Sequence, residues 1–452
     1  MKKLKSLDES SFLKLFFAFL SAAFLIGAVC MPDRGDMFHG LGRILMNTCK
    51  VSTNYFDLGG VAATFLNMGL VALSCTLLFV VTGAKPNNVS TLATILTVGF
   101  GSWGINVLNI WPTILGVVLY GLVKREKMSS LVNAMLFSTG IAPLISDLLF
   151  RYPYAEAVGF HWAGVGIAMA VGLFIGFILP AGLAHSPIVH KGFDLYSAAL
   201  PIGMTAFFLQ AFLFKTMGVA LPNPDSSLKV VAPTAVNVFC LALFGGSAIL
   251  ALLLGCTPKQ YWKLLTEKKA VGSFSATYGN ATFLMNFAVF GLFILGYYNL
   301  AGAIGAARGL EYSVLNGVTF GIIFCMLATC NSGSHPLNVL PILAGYLVAS
   351  YVFEWLSGAA GGDFAGRVYA QPILIGLCYA NGLSPVSQKY GWFAGLVLSA
   401  FHYILVTSVP ALHGGFCLYN GGFTAALICL IFVPQLERFF KTREERAALK
   451  TK

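Results

Sequence analysis

Across 452 residues the chain is 57% hydrophobic and only 10% charged, whereas a water-soluble globular chain usually carries about a quarter charged residues. A mean hydropathy of +0.80 excludes a soluble fold and points to a chain that crosses a bilayer many times. The net charge of +11, from 28 basic and 17 acidic residues, does not point to nucleic acid: Lys and Arg fall in short clusters between apolar runs, the pattern that sets membrane topology.

Lys2, Lys3 and Lys5 precede an apolar run from Phe12 to Val29. Its length, and the lack of an A-x-A cleavage pattern after it, predict a retained first crossing rather than a signal peptide. Further apolar segments are predicted near residues 58–82, 90–123, 131–150, 160–183 and 193–214, and a second series near 230–254, 277–297, 312–353, 370–386, 391–409 and 415–434. The third member of each series is too long for one plain crossing and is interrupted, by Gly101 to Gly104 and by Asn331 to Pro336.

The two series are related in sequence. Pro187-Ile-Val-His190-Lys-Gly192-Phe193-Asp-Leu195-Tyr196 matches Pro410-Ala-Leu-His413-Gly-Gly415-Phe416-Cys-Leu418-Tyr419, six identities in ten at an offset of 413 − 190 = 223. Gly104, Leu108, Asn109, Pro112 and Gly116 recur as Gly333, Leu337, Asn338, Pro341 and Gly345, at 338 − 109 = 229. Fainter echoes pair Gly140-Ile-Ala-Pro143 with Gly382-Leu-Ser-Pro385, and Asn67 with Asn286.

If each interrupted segment dips in and returns, every unit has five crossings plus one hairpin, and the second unit must be inverted. With the N-terminus inside, Lys124-Arg125-Glu126-Lys127, His190-Lys191, Lys259 to Lys269, Lys389 and the tail Arg438 to Lys452 all become cytoplasmic. The exterior receives the sparse loops around Pro222-Asn-Pro-Asp225, Arg308 and Gly361 to Arg367. Reading each interrupted segment as two full crossings gives the same sides for all but the short breaks. The predicted fold class is therefore an all-α integral membrane protein of about ten transmembrane helices plus two re-entrant or broken helical hairpins, in two inverted-topology repeats. Its parts are a cytoplasmic N-terminus (1–11), repeat 1 (12–215), a connecting loop (216–229), repeat 2 (230–436) and a basic cytoplasmic tail (437–452).

Broken helices are tolerated at membrane depth where their freed backbone lines a cavity, and inverted repeats put such elements at one central site. Asn109 and Asn338 are the first candidates for a substrate path, balanced against a role as caps of the helices that follow, with Pro112 and Pro341 in their early turns. Ser102, Asn106, Asn331, Ser332, Ser334 and His335 crowd the breaks, and Asn67 and Asn286 join them as the echoed pair. His190 and His413 precede the last helix of each unit and fall on opposite faces, as gating or proton-relay candidates set against a bland role as turn caps. Tyr196, Tyr419 and Asn420 follow them and are placed to hydrogen-bond across the bundle.

No acidic residue is predicted at mid-bilayer, with Asp147 and Asp194 within about a turn of an interface, which favours an uncoupled path for a small neutral or weakly ionised solute. His185 and His190 have no third ligand nearby, so no metal and no other cofactor is expected. The ten cysteines are scattered singly, and the sequence leaves open whether Cys30 and Cys49, flanking one exterior loop, pair. There is no P-loop, G-x-S-x-G elbow or H-E-x-x-H motif, and an enzyme is not expected.

Five crossings plus a hairpin, repeated upside down, resembles the urea-transporter architecture, and Leu418-Tyr419-Asn420-Gly421-Gly422 looks like its Tyr-Asn-rich motif. The paired Pro-x-x-His-x-Gly-Phe-x-Leu-Tyr and Leu-Asn-x-x-Pro motifs are more closely similar to a bacterial family of multi-pass membrane proteins defined as a domain of unknown function. That resemblance implies a bacterial cytoplasmic (inner) membrane and carries no substrate. The expected function is a permease or channel in contact with lipid and a small-molecule solute, with no nucleic acid and with self-association into a homo-oligomer compatible. Two alternatives stand beside it: a non-transporting membrane subunit of a redox or enzymatic complex, and an ion-coupled secondary transporter.

Overall fold

The computed structural model describes residues 6–223, 233–267 and 272–450. Lys2, Lys3, Lys5, Lys268 and Lys269, with Pro224, Asp225 and the rest of the predicted connecting loop to residue 229, lie outside them, as do the last two residues of the tail. The described chain is all-helical, without a strand.

The first half runs α1 (Glu9–Cys30), α2 (Met37–Leu45), α3 (Val61–Val81), α4 (Asn88–Phe100), α5 (Trp111–Lys124), α6 (Met128–Ser138), α7 (Ala142–Phe150), α8 (Trp162–His190) and α9 (Ala199–Gln210). The second runs α10 (Pro233–Leu253), α11 (Pro258–Leu265), α12 (Asn280–Ala307), α13 (Gly317–Leu327), α14 (Pro336–Ala359), α15 (Gln371–Ala380), α16 (Ser384–Tyr390), α17 (Trp392–Val406) and α18 (Asn420–Phe439), with α19 (Arg443–Lys450) in the tail. Among the described residues nine helical stretches are long and apolar enough to cross a membrane. They include α14, the 24-residue second arm of an expected hairpin, whereas α17 with 15 residues is shorter than a plain span. Side chains such as Ile26, Val81, Leu122, Ile249 and Trp355 are exposed on the outside of the bundle, where lipid rather than water suits them.

Hydrogen bonds sort the chain into two ends. At one end Asn280 Nδ2 donates to the Leu7 carbonyl, Ser332 Oγ to that of Asn88 and Gln388 Nε2 to that of Glu267, and Lys191 pairs with Glu437. At the other, Gly317 N–H donates to Asn54 Oδ1, Asn316 Nδ2 to Gln371 Oε1, Val51 N–H to the Gly415 carbonyl and Arg151 Nη1 to that of Ala220. Helix α1 leaves the first end and α10 leaves the second, so these two helices run in opposite directions. His190 lies at the first end and His413 at the second.

Aromatic packing ties the halves together. The Phe16 ring meets Phe287 edge-on at 5.1 Å and Phe24 meets Phe324 at 5.1 Å, while Phe65 stacks on Phe320 at 5.1 Å. At the centre α4 and α13 touch through glycine: a Cβ on Gly99 would lie 2.8 Å from the Gly321 carbonyl oxygen, and one on Gly321 would collide with that of Gly99. Only glycine permits that approach.

The pairing of Cys30 with Cys49 that the sequence leaves open is not formed: Cys30 is exposed, whereas Cys49 is buried with its sulfur 3.0 Å from the Tyr55 hydroxyl. Pro341 does not open its helix: Pro336 holds the first turn of α14, where a missing N–H costs nothing, and Pro341 falls inside.

Candidate functional site

Both breaks are held by an asparagine from the long helix that precedes them. Asn67 Nδ2 donates to the carbonyls of Gly101 (2.7 Å) and Ile105 (2.9 Å), and its Oδ1 accepts from Val107 N–H (3.3 Å). Asn286 Nδ2 donates to those of Cys330 (2.7 Å) and Ser334 (2.9 Å). The acceptors correspond at 330 − 101 = 229 and 334 − 105 = 229. A helix that stops mid-bundle leaves carbonyls unpaired, and these two amides satisfy them.

Asn109 and Asn338 fold the breaks from within. Asn109 Oδ1 accepts from Asn106 N–H (2.9 Å) while its Nδ2 donates to the Gly104 carbonyl (2.8 Å) and to Ser146 Oγ (3.0 Å). Asn338 Oδ1 accepts from His335 N–H (3.0 Å) and its Nδ2 donates to the Gly333 carbonyl (2.9 Å). Gly104 and Gly333 have φ of +77° and +139°, values that let the chain turn back under each amide. Both amides are thus engaged with the chain itself.

Most of the other break residues bond within their own half, and Asn331 reaches across to the other. Asn106 Oδ1 accepts from the N–H groups of Leu108 and Asn109 at 2.9 Å. Asn331 accepts from Ser275 N–H (2.8 Å) and donates to Thr91 Oγ1 on α4 (3.2 Å). Ser102 Oγ donates to the Gly99 carbonyl at 2.9 Å, and Ser334 meets Ser384 at 3.2 Å. His335 is 2% exposed, packs beside Phe274, and has no partner on either ring nitrogen.

A second pair of crossed contacts lies where the last helix of each half begins. Leu195 N–H donates to the Gly382 carbonyl (3.1 Å) and Leu418 N–H to that of Gly140 (2.9 Å). Each acceptor sits in a short 3-10 turn that divides a helix, Thr139–Ile141 between α6 and α7 and Asn381–Leu383 between α15 and α16. The Tyr196 hydroxyl lies 2.9 Å from both the Cys325 carbonyl and Asn381 Oδ1, and Asn381 Nδ2 donates to the Met326 carbonyl and Thr329 Oγ1 at 2.9 Å. Tyr419, its counterpart, has no partner for its hydroxyl, and neither has the Trp103 indole N–H; both rings flank Phe100, at 5.2 and 5.3 Å. His190 Nε2 meets Ser197 Oγ at 2.9 Å, and His413 Nδ1 bonds Asn420 Oδ1, in each case seven residues on.

The chain matches the sequence profile described as "Protein of unknown function (DUF1576)" over residues 33–215 and 257–438. It belongs to the DUF1576 family. The matched segments cover both sets of breaks and both histidine motifs of this family member. Comparison with curated proteins and with solved structures finds no match.

Sequence reasoning passed over Asn381, Trp103 and Thr91, all enclosed at the seam. Asn381 was the legible one, a polar residue just before the Gly382 echo. Among the described residues no three His, Cys, Asp or Glu side chains gather to hold a metal.

Proposed function

We propose that this DUF1576 protein is a membrane permease for a small solute, built as two inverted repeats whose broken helices meet at the α4–α13 seam. The observation that carries the reading is the pair of buried donors, Trp103 Nε1 and the Tyr419 hydroxyl, left without partners beside Phe100. An unmet donor in a dry interior costs about 1–3 kcal/mol, and Trp103 and Tyr419 bring two of them beside one phenylalanine, where a passing solute can offer acceptors. Amide, hydroxyl and indole groups then replace water around the solute as it crosses.

The opposed directions of α1 and α10 and the matched asparagine clasps support the inverted arrangement. Lys191, Lys389 and Arg446 gather at one end with the start of α1, which supports cytoplasmic termini in a bacterial inner membrane. Flux of a panel of small solutes into proteoliposomes tests the reading. Tyr419→Phe and Trp103→Phe keep an aromatic ring and remove the donor, and each is expected to slow the transported solute tenfold or more. Unchanged flux in both, with folding intact, rules out this site.

A further inference from the structure

Beside the seam, at the end that holds Asn88, a cavity of about 690 Å³ opens between the first helix–break–helix unit, α6, the end of α8 and the turn 191–198. Asn88, Tyr120, Glu126, Asn133, Asp194 and Ser197 reach its wall. Asp194 is the buried charge of this group, 2% exposed. Its Oδ1 accepts from Tyr196 N–H at 2.8 Å, and its Oδ2 has no partner.

The chain shows what a compensated buried carboxylate looks like. Asp147 is gripped by Arg151 through Nε at 2.6 Å and Nη2 at 2.7 Å. Asp194 makes no ion pair among the described residues. The titratable groups around it are His190 and Tyr196 on its own turn, Cys429 on α18, Lys389 and Tyr390 packed over Phe193, and Tyr120 and Glu126 across the cavity. His190 faces backbone N–H groups and Ser197 rather than the carboxylate. An enclosed carboxylate without a counter-charge is costly unless it takes up a proton. A hard metal ion would need six or more oxygen ligands, whereas a proton needs no cage.

The turn itself is a joint between the halves. Leu195 and Tyr196 clasp the 381–383 turn, and a Cβ on Gly382 would lie 2.9 Å from Asp194 Oδ1. A charge appearing on Asp194 therefore acts directly on that clasp.

We propose that Asp194 is a proton-binding site, and that uptake and release of its proton is coupled to opening of the 191–198 turn and so to solute movement. The coupling rests on the permease reading; the proton site does not. The proton passes from cavity water to Oδ2 and back to water when the turn opens, and no bond in the solute changes. Burial, only partly offset by the Tyr196 N–H, pushes the carboxyl up to about 7, so both protonation states are populated near neutrality.

Infrared difference spectroscopy of the full chain in lipid, titrated across neutrality, tests the site without a substrate. The wild type is expected to lose one protonated-carboxyl band with a midpoint near 7. That band vanishes in Asp194→Asn, returns at a shifted midpoint in Asp194→Glu, and persists in Glu126→Gln. A titration unaltered by Asp194→Asn, or a band abolished by NaCl at constant pH, overturns the proton site. For a solute that the wild type carries, an imposed pH gradient is expected to accelerate net uptake at least tenfold in wild type. In Asp194→Asn it has no effect, while exchange at equal pH survives. Wild-type uptake indifferent to the gradient overturns the coupling. Absence of any solute flux overturns the permease reading instead, and the infrared titration still decides the proton site.

Discussion

Replacing Asn67 by alanine probes how the first break is held. The side chain donates to the Gly101 and Ile105 carbonyls and accepts from Val107 N–H, so the substitution orphans three backbone groups in a region shut from water. Each buried orphan costs about 1–3 kcal/mol when no other partner reaches it. Side-chain hydrogen bonds measured inside membrane bundles average nearer ~0.6 kcal/mol, because the unfolded helices find other partners in the bilayer. Here the acceptors are carbonyls of an interrupted helix, fixed in place by their own turn, and the larger figure governs. Asn67→Ala is expected to destabilise the protein by at least about 3 kcal/mol, a shift of more than a hundredfold in the unfolding equilibrium. Asn286→Ala orphans the two carbonyls of Cys330 and Ser334 and also releases the Tyr261 hydroxyl, and should cost a comparable amount. Equilibrium unfolding in mixed micelles by SDS, followed by tryptophan fluorescence, measures both. Values within about 1 kcal/mol of wild type for both variants would refute the claim that these amides hold the breaks.

Gly140→Ala and Gly382→Ala each place a methyl 2.5 Å from a tyrosine ring, of Tyr419 and Tyr196 respectively, and should lower stability by about 1–3 kcal/mol in a thermal melt. Gly166→Ala in α8 meets open space and should instead gain a few tenths to about 1 kcal/mol. Arg151→Met strands the buried Asp147 carboxylate and should cost about 3–5 kcal/mol, with much of the loss recovered in the Arg151→Met, Asp147→Asn double variant. In a Cys30→Ser background, which removes the one exposed native thiol among the described residues, Lys191→Cys and Leu412→Cys should react with impermeant reagents from opposite sides of sealed vesicles. Labelling of both from one side refutes the inverted arrangement.

Hydropathy located the breaks because composition changes there: Gly101 to Gly104 and Asn331 to Pro336 interrupt runs that are otherwise apolar. It could not tell what closes them. Asn67 and Asn286 stood out only as a faint echo, since their acceptors lie 34 to 48 residues further along the chain and no local pattern links them. For Asn109 and Asn338 the repeat spacing was visible, but whether the amide faces the solute, caps a helix or turns back on its own break depends on the φ of Gly104 and Gly333, which spacing does not encode. For Asp194, counting from the apolar run gives a place within a turn of an interface but not its burial: the turn after His190 is tied back to Gly382, and that contact with the other half encloses it.

Residues that agree between the halves, the asparagine clasps and the glycines under them, satisfy broken backbone, a need both halves share. Some of the residues that differ lie where the chain turns into the last helix of each half. Cys417 stands where Asp194 would recur, and Asn420 where Ser197 would. On the permease reading, a path lined alike at both ends would treat a given solute the same way from either side. A carboxyl placed at one end alone makes entry from that side depend on protonation. On that reading, the buried position at which the motif exchanges a carboxyl for a thiol, Asp194 against Cys417, is where a proton gradient can impose direction.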